Sequence, residues 1–170
     1  MNEKIEKLIN DQMNFEFYSS YIYMAMAAYC DSIDLPGFSH WFKNQVQEEM
    51  YHAIKMYNYL LERGGRPFFT EISAPQKDWK SPKNAFEDAL KHEKIVTDRI
   101  NNIMTEAINE KDHASRSFLN WYVDEQVEEE SSVGSIIKKL ELIKDSGQGL
   151  LFLDKELGAR VFNTPVDLNL

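Results

Sequence analysis

The stretch from residue 36 to residue 65, PGFSHWFKNQVQEEMYHAIKMYNYLLERGG, decides the fold. It opens on a proline, which is favoured in the first turn of a helix, and closes on two glycines, which favour a left-handed helix end. Between them, Phe42 and Met56 lie on one heptad line and predict the apolar seam of a helix. Glu49 falls midway on the same line, where a charge is not normally buried. The stretch therefore predicts a helix whose buried seam carries a carboxylate.

Similar periodicity predicts three more long helices and a short one. They run from about Asn2 to Cys30, from Ser81 to Asn109, from Asp112 to just before Gly147, and from Leu150 to Gly158. The links between helices one and two and between three and four are short, so each pair should be antiparallel. The link of roughly 16 residues between helices two and three could span ~50 Å and so return along a helix of ~42 Å. We therefore predict an all-α, four-helix bundle with one long crossover and a short fifth helix, in a single domain over residues 1–170.

Two features near the C-terminus carry no chemistry of their own. Gly147 and Gly149 lack the strand and the third glycine of a nucleotide-binding loop, and they are predicted to form a turn. The tail from Asn163 to Leu170 gives no functional signal.

Each long helix carries one acidic residue near the middle of its apolar seam. The four are Glu16, Glu49, Glu93 and Glu129. Because each lies about halfway along its helix, the four should meet at one level of the bundle whichever way the helices point. Unpaired carboxylates in an apolar interior would repel one another and cost several kcal/mol each in desolvation. No Lys or Arg occupies a seam position at that level, so a bound metal is the best counter-charge.

The residue types at this level narrow the choice of metal. Glu49 and His52 form Glu-x-x-His, a spacing that puts a carboxylate and an imidazole on one helix face and that di-iron carboxylate bundles use. Hard carboxylates with one imidazole favour iron or manganese over copper, and iron is the redox-active choice. The single cysteine, Cys30, excludes a thiolate zinc cluster and fits a reducing compartment.

The charge balance limits the partners. Acidic residues outnumber basic ones by 28 to 19, which gives a net charge of −9 and argues against nucleic acid or anionic membrane as the main partner. The N-terminus has no apolar targeting segment, and no apolar run approaches the ~20 residues of a membrane span. We therefore expect a cytoplasmic protein with no nucleic-acid or membrane partner.

The sequence resembles the non-haem ferritins of bacterial and archaeal type over nearly the whole chain. The resemblance rests on residues 12–20 (QMNFEFYSS), 47–52 (QEEMYH), 92–93 (HE), 118–130 (FLNWYVDEQVEEE) and 147–157 (GQGLLFLDKEL). It implies an iron-storage subunit that oxidises Fe(II) with dioxygen or peroxide at a di-iron ferroxidase centre. It also implies a homo-oligomeric shell of twenty-four subunits that stores ferric oxyhydroxide in its cavity.

The resemblance assigns roles to the four seam carboxylates. It implies that Glu16, Glu49 and His52 form the first iron site. Glu49 would bridge to a second site that Glu93 and Glu129 complete. Two irons per subunit would then take part in oxidation.

The resemblance also assigns residues around these two sites. Gln126 would lie beside the second iron, in a position where haem-containing relatives carry a second Glu-x-x-His, and Tyr23 would lie adjacent to the centre. The residues implied for a third iron site nearby are Glu48, Glu125, Glu128 and Glu129. Met50 lies where haem-containing relatives place a haem ligand, but non-haem ferritins can also carry methionine there, so haem is not expected.

Other interpretations stay open from the residues alone. Without the resemblance, Glu48, Glu125 and Glu128 would be interpreted as a solvated face. Tyr23 could donate an electron or a hydrogen bond, or it could be a core tyrosine whose hydroxyl finds a partner among the carboxylates. A di-iron peroxidase or oxygenase would need a substrate pocket that the packed seams do not suggest. A non-catalytic bundle resembling a cytokine would normally be secreted and would have no use for buried carboxylates.

Overall fold

The computed structural model describes residues 1–162, so the tail from Asn163 to Leu170 lies outside the described part. Within residues 1–162 the chain forms helices and no strands. The five helices are α1 (Glu3–Ser32), α2 (Pro36–Glu62), α3 (Pro82–Asn109), α4 (His113–Ile143) and α5 (Gly147–Leu157). The predicted all-α bundle with a short fifth helix is confirmed.

The helix ends use local capping groups. Pro36 occupies the first turn of α2, and Gly64 just beyond that helix has a φ of 71°, the left-handed conformation expected there. The Ser81 hydroxyl accepts a hydrogen bond from the backbone N–H of Asn84 at the start of α3. These caps explain why the predicted limits of the two helices lie close to the observed ones.

The predicted start of the fifth helix is wrong by three residues. Gly147 and Gly149 do not form a separate turn but lie in the first turn of α5. The reason is that the Ser146 hydroxyl accepts from the backbone N–H of Gly149 at 3.1 Å and caps the helix there. Gly149 also lies against Ile143, where a Cβ would come within 2.8 Å of that side chain.

The long crossover makes α2 and α3 run parallel. Helices α2 and α4 are antiparallel, because Gln45 contacts Glu129 in the middle of α4, whereas Tyr59 near the end of α2 contacts Ser115 near the start of α4. Helices α3 and α4 are joined by the short turn at 110–112 and are antiparallel as well. The chain must therefore travel the length of the bundle between the end of α2 and the start of α3, as the sequence predicts.

Asparagines of α1 hold the crossover on the bundle. Asn10 accepts from the backbone N–H of Phe68, and Asn14 donates to the carbonyl of the same residue, both at 2.9 Å. At the far end of α1, the ring of Trp79 packs against Tyr29. The crossover thus follows α1 from its first turns to its last, and backbone groups of Arg66, Phe68 and Thr70 find partners on α1.

The apolar core is divided into two clusters with a polar level between them. On α1, for example, one cluster takes residues from Tyr23 onward and the other takes residues up to Met13. Glu16 lies between these two groups, and each of the other three helices shows the same division around its central carboxylate. Among the described residues, no helix combines the length and apolar character that crossing a membrane requires.

Candidate metal centre

The four central carboxylates are almost completely buried. The exposed fraction is 0% for Glu16 and Glu93, 1% for Glu49 and 4% for Glu129. Each is supplied by a different helix of the bundle, and the two apolar clusters exclude water from above and below. Burying several carboxylates together is strongly unfavourable unless protons or metal ions neutralise them.

Glu16, Glu49 and His52 form the tightest group of candidate ligands. One ligand atom from each lies within 4.8 Å of the others, and all three side chains are buried. The Nδ1 atom of His52 lies 3.5 Å from Oε2 of Glu49. Oε2 of Glu16 and Oε2 of Glu49 are buried and find no hydrogen-bond donor among the described residues. Two such oxygens beside an imidazole nitrogen fit a divalent cation with hard ligands.

The electrostatics favour uptake of a cation. Burial raises the pKa of Glu16 to about 7, and the negative charge of Glu93 adds to this rise. Burial raises the pKa of Glu49 well above its ordinary value, and the charges of Glu93, Glu16 and Glu129 push it in the same direction. The cluster therefore holds protons near neutral pH in the absence of metal, and a metal ion must displace them.

The surroundings of His52 keep its imidazole uncharged. Burial lowers the pKa of His52 to about 3, and the positive charge of Lys55 contributes to this fall. Its backbone carbonyl accepts a hydrogen bond from the Tyr122 hydroxyl at 2.8 Å, and its ring packs edge-on against Trp121. The imidazole is therefore uncharged at neutral pH and can offer a lone pair to a metal.

Glu93 differs from the other three because both of its oxygens have donors. The Tyr23 hydroxyl donates to Oε1, and the side-chain amide of Gln126 donates to Oε2 at 3.0 Å. This observation agrees with the interpretation of Tyr23 as a core tyrosine whose hydroxyl bonds a carboxylate. Glu93 also belongs to neither of the two groups of described residues whose ligand atoms lie within 4.8 Å of one another.

A second group of candidate ligands also includes His52. It consists of His52, Glu125 and Glu129, again with one ligand atom of each within 4.8 Å of the others. Oε2 of Glu129 accepts from the side-chain amide of Gln45 at 2.8 Å. Burial raises the pKa of Glu129 well above its ordinary value, and the charges of Glu93 and Glu48 add to this.

The residues implied for a third site are only partly assembled. Glu48 is half-buried, and its Oε2 forms an ion pair with Nη2 of Arg160 at 2.6 Å. Glu125 is half-buried, whereas Glu128 is exposed. Burial raises the pKa of Glu48 against the opposing effect of Arg160, and the nearby charges of Glu125 and Glu128 add to the rise. The three acids therefore face one another across α2 and α4, with a guanidinium beside them.

Sequence reasoning missed four residues that contact this centre through hydrogen bonds. They are Gln12, Gln45, Arg99 and Arg160. The glutamines gave a signal, because both are polar residues on apolar seams. Arg160 gave none, because it follows α5 in the chain and its approach to α2 depends on tertiary packing. Arg99 gave none, because it lies beside the apolar seam of α3 and not on it.

Comparisons with known proteins identify relatives over nearly the whole chain. The ferritin-like domain of the ferritin family matches residues 6–143. A bacterial non-heme ferritin of Staphylococcus aureus (strain USA300) is 44% identical over 163 residues, which cover 96% of this chain and 98% of that protein. A probable bacterial non-heme ferritin-like protein of Haemophilus influenzae is 41% identical over 158 residues, covering 93% of this chain and 96% of that protein.

A solved structure shares the fold over the same extent. The open pore ferritin of the archaeon Archaeoglobus fulgidus superposes with a TM-score of 0.94 at 48% identity, over 95% of this chain and 99% of that one. The resemblance drawn from the sequence is thereby confirmed, and the chain belongs to the ferritin family.

Proposed function

We propose that this chain is an iron-storage subunit that oxidises Fe(II) at its buried carboxylate centre and stores the product as a ferric oxyhydroxide mineral. The observation that carries the proposal is the convergence of Glu16, Glu49 and His52, with two buried carboxylate oxygens that lack a donor among the described residues. Membership of the ferritin family supports the same conclusion.

Iron is the substrate in this proposal, and two ferrous ions bind per subunit. Glu16, Glu49 and His52 hold the first, and Glu49 is shared with a second position that Glu93 and Glu129 complete. Each ferrous ion gives up one electron, so the pair reduces dioxygen by two electrons to the level of peroxide, which takes up two protons. The carboxylates, which release protons when metal binds, balance the higher charge of the ferric product.

Gln126 and Tyr23 affect how strongly a metal ion is held at the second position. Both donate hydrogen bonds to Glu93, so a metal at this position must compete with two donors for its oxygens. Gln126 is also neutral, and we infer that the second iron is held more weakly than the first and leaves more readily. The Tyr23 hydroxyl supplies a hydrogen bond to Glu93. If Tyr23 instead gave an electron to the oxidised iron pair, its hydroxyl proton would pass to Glu93 and a phenoxyl radical would remain.

A third iron position would use Glu48, Glu125, Glu128 and Glu129. Because Arg160 forms an ion pair with Glu48, a metal ion there would have to displace the guanidinium from that carboxylate. Haem is not part of the proposal, and Met50 is a partly exposed residue of α2.

We further propose that the chain is one domain over residues 1–170, acts in the cytoplasm and assembles as a homo-oligomer of twenty-four subunits. Exposed apolar side chains near the end of the bundle support an assembly. Leu142 of α4 is 83% exposed, and Leu151 and Phe152 of α5 are 65% and 73% exposed. Surface of this kind at one end of a chain is typical of an interface between subunits.

The direct test replaces the shared ligand. Glu49→Ala removes the carboxylate common to both iron positions, and we expect rapid oxidation of Fe(II) in stopped-flow absorbance to fall by at least about a hundredfold. Glu62→Ala, an exposed acid on the same helix, is the matched control and should oxidise iron at the wild-type rate. Wild-type rates in the Glu49 variant would contradict the assignment.

A further inference from the structure

Two carboxylates at the candidate centre are held by glutamine amides in the same way. The side-chain amide of Gln12 donates to Oε1 of Glu16 at 2.8 Å. The side-chain amide of Gln45 donates to Oε2 of Glu129, also at 2.8 Å. All four side chains are buried, so these bonds form in a medium of low dielectric constant, where they are strong.

Each glutamine is held in turn by an arginine. Nε of Arg99 donates to Oε1 of Gln12 at 2.6 Å, and Nη1 of Arg160 donates to Oε1 of Gln45. A guanidinium can only donate, so the amide oxygen must face the arginine and the amide nitrogen must face the carboxylate. Without the arginine, the amide could rotate by 180° and present its oxygen to the carboxylate instead.

We name the two sets by their arginines. The Arg99 relay consists of Arg99, Gln12 and Glu16, and the Arg160 relay consists of Arg160, Gln45 and Glu129. They arise from different elements, since one arginine belongs to α3 and the other follows α5. The same order of guanidinium, amide and carboxylate therefore occurs twice, at two different carboxylates of one centre.

Arg99 is fixed by its own surroundings. Its Nη2 donates to the backbone carbonyl of Asp11 at 3.0 Å, and its guanidinium lies 4.2 Å from the ring centroid of Phe15. The arginine is thus held by two contacts that leave its Nε directed at Gln12.

Arg160 is fixed in a similar way. Its guanidinium lies 4.6 Å from the ring centroid of Trp41, and its Nη2 pairs with Glu48 at 2.6 Å. The backbone carbonyl of Arg160 also accepts from the ring of His40. Both arginines are therefore rigid donors, as a device that orients a second group requires.

We propose that Arg99 and Arg160 are positioning residues for metal binding, each acting through its glutamine on its carboxylate. The amide fixes one carboxylate oxygen and so sets the direction of the other toward the metal. This inference rests on the proposed function. Because Glu16 belongs to the first iron position and Glu129 to the second, each relay should affect its own position and leave the other unchanged.

Double-mutant cycles on the assembled protein test this specificity. Binding of Zn²⁺, which does not turn over, is measured by calorimetry for the wild type, for Arg99→Met and Arg160→Met, and for Glu16→Gln and Glu129→Gln. Each arginine variant is then combined with each glutamate variant. Arg116→Met, which removes an exposed arginine, is the matched control for loss of charge.

We expect each relay variant to weaken one of the two Zn²⁺ binding steps at the paired positions by about tenfold to a hundredfold, the usual effect of removing a group that orients a ligand. A matched pair combines an arginine variant with the glutamate variant of its own relay, and a crossed pair combines it with that of the other relay. In the matched pairs, replacing the arginine should weaken Zn²⁺ binding little further once the carboxylate has been replaced. In the crossed pairs the two effects should multiply to within about twofold. Arg99→Lys, which keeps a donor for Gln12, should recover part of the lost affinity, a result that a purely structural role would not produce.

Three results would overturn the proposal. The first is that the relay variants bind Zn²⁺ as tightly as Arg116→Met does. The second is that the losses of affinity multiply in the matched pairs. The third is that the coupling free energy is equal in matched and crossed pairs. If the wild type binds no Zn²⁺ or Fe²⁺, the proposed function fails and this inference fails with it. If the wild type binds at least two ions per subunit and the relay variants are unchanged, only this inference fails. Light scattering on every variant identifies any that does not assemble. Where an arginine-to-methionine variant fails to assemble, the lysine variant at the same position takes its place.

Discussion

Replacing Glu16 by Gln removes one buried negative charge from the metal centre with little change in shape. Burial raises the pKa of Glu16 from its ordinary 4.5 to about 7, so the metal-free folded chain binds this proton more tightly than the unfolded chain does. Such a group destabilises the folded state progressively as the pH rises from about 4.5 to about 7, and the penalty is complete above that range. A pKa difference of this size corresponds to about 3 kcal/mol, an upper figure because neighbouring charges share the protons.

The expected result follows from the sign of this shift. At pH 8, metal-free Glu16→Gln should be more stable than the wild type by up to about 3 kcal/mol, and at pH 4.5 the difference should largely disappear. Gln12 can still donate to the new amide oxygen, so the hydrogen bond need not be lost. Saturating Zn²⁺ should reverse the order, because the wild type gains the binding free energy of an ion that the variant holds weakly.

The assay is urea denaturation of chelator-treated protein at a fixed subunit concentration, followed by circular dichroism across this pH range, with and without Zn²⁺. Glu62→Gln makes the same charge change at an exposed position and should follow the wild type at every pH. Metal-free Glu16→Gln that is no more stable than the wild type at pH 8, or whose advantage does not grow with pH, would contradict this prediction.

Two further predictions concern single contacts. Tyr23→Phe removes the hydroxyl that donates to Glu93 and should destabilise the metal-free protein by about 1–3 kcal/mol in urea denaturation; an unchanged midpoint would contradict that bond. Gly37→Ala should disrupt the docking of α5, because a Cβ there would lie 1.7 Å from the backbone oxygen of Asp154, and light scattering should detect a smaller or unstable particle. Gly134→Ala, in a helix with open space around it, is the control and should assemble normally with equal or greater stability.

The long helices and the level of the carboxylates could be predicted because both depend on local pattern. Pro36, Ser81 and Gly64 mark helix ends through the conformations that each residue type favours, and the structure uses all three in that way. The central carboxylates converge because each lies midway along its own helix. The midpoint of a helix lies at the same level whichever way the helix runs, so this convergence does not depend on the topology.

The connections around the centre could not be predicted, because they join residues that are remote in the sequence. The bond from Arg160 to Gln45 spans 115 positions and exists only after α5 has packed on the start of α2. That packing depends on Asp154, whose carboxylate accepts from the backbone N–H groups of Gly37 and Phe38. The start of α5 is predicted too late, because Gly147 and Gly149 favour a turn, whereas the Ser146 cap allows the helix to begin at Gly147.

The measurement that tests the central claim most directly is light scattering after size-exclusion chromatography, before and after aerobic loading with Fe(II), with iron counted per particle. We predict a closed particle of about twenty-four subunits that keeps far more iron than the three ions per subunit its protein sites could hold. A monomer or dimer that retains about two irons per subunit would contradict storage and would leave the chain as a di-iron oxidase or peroxidase.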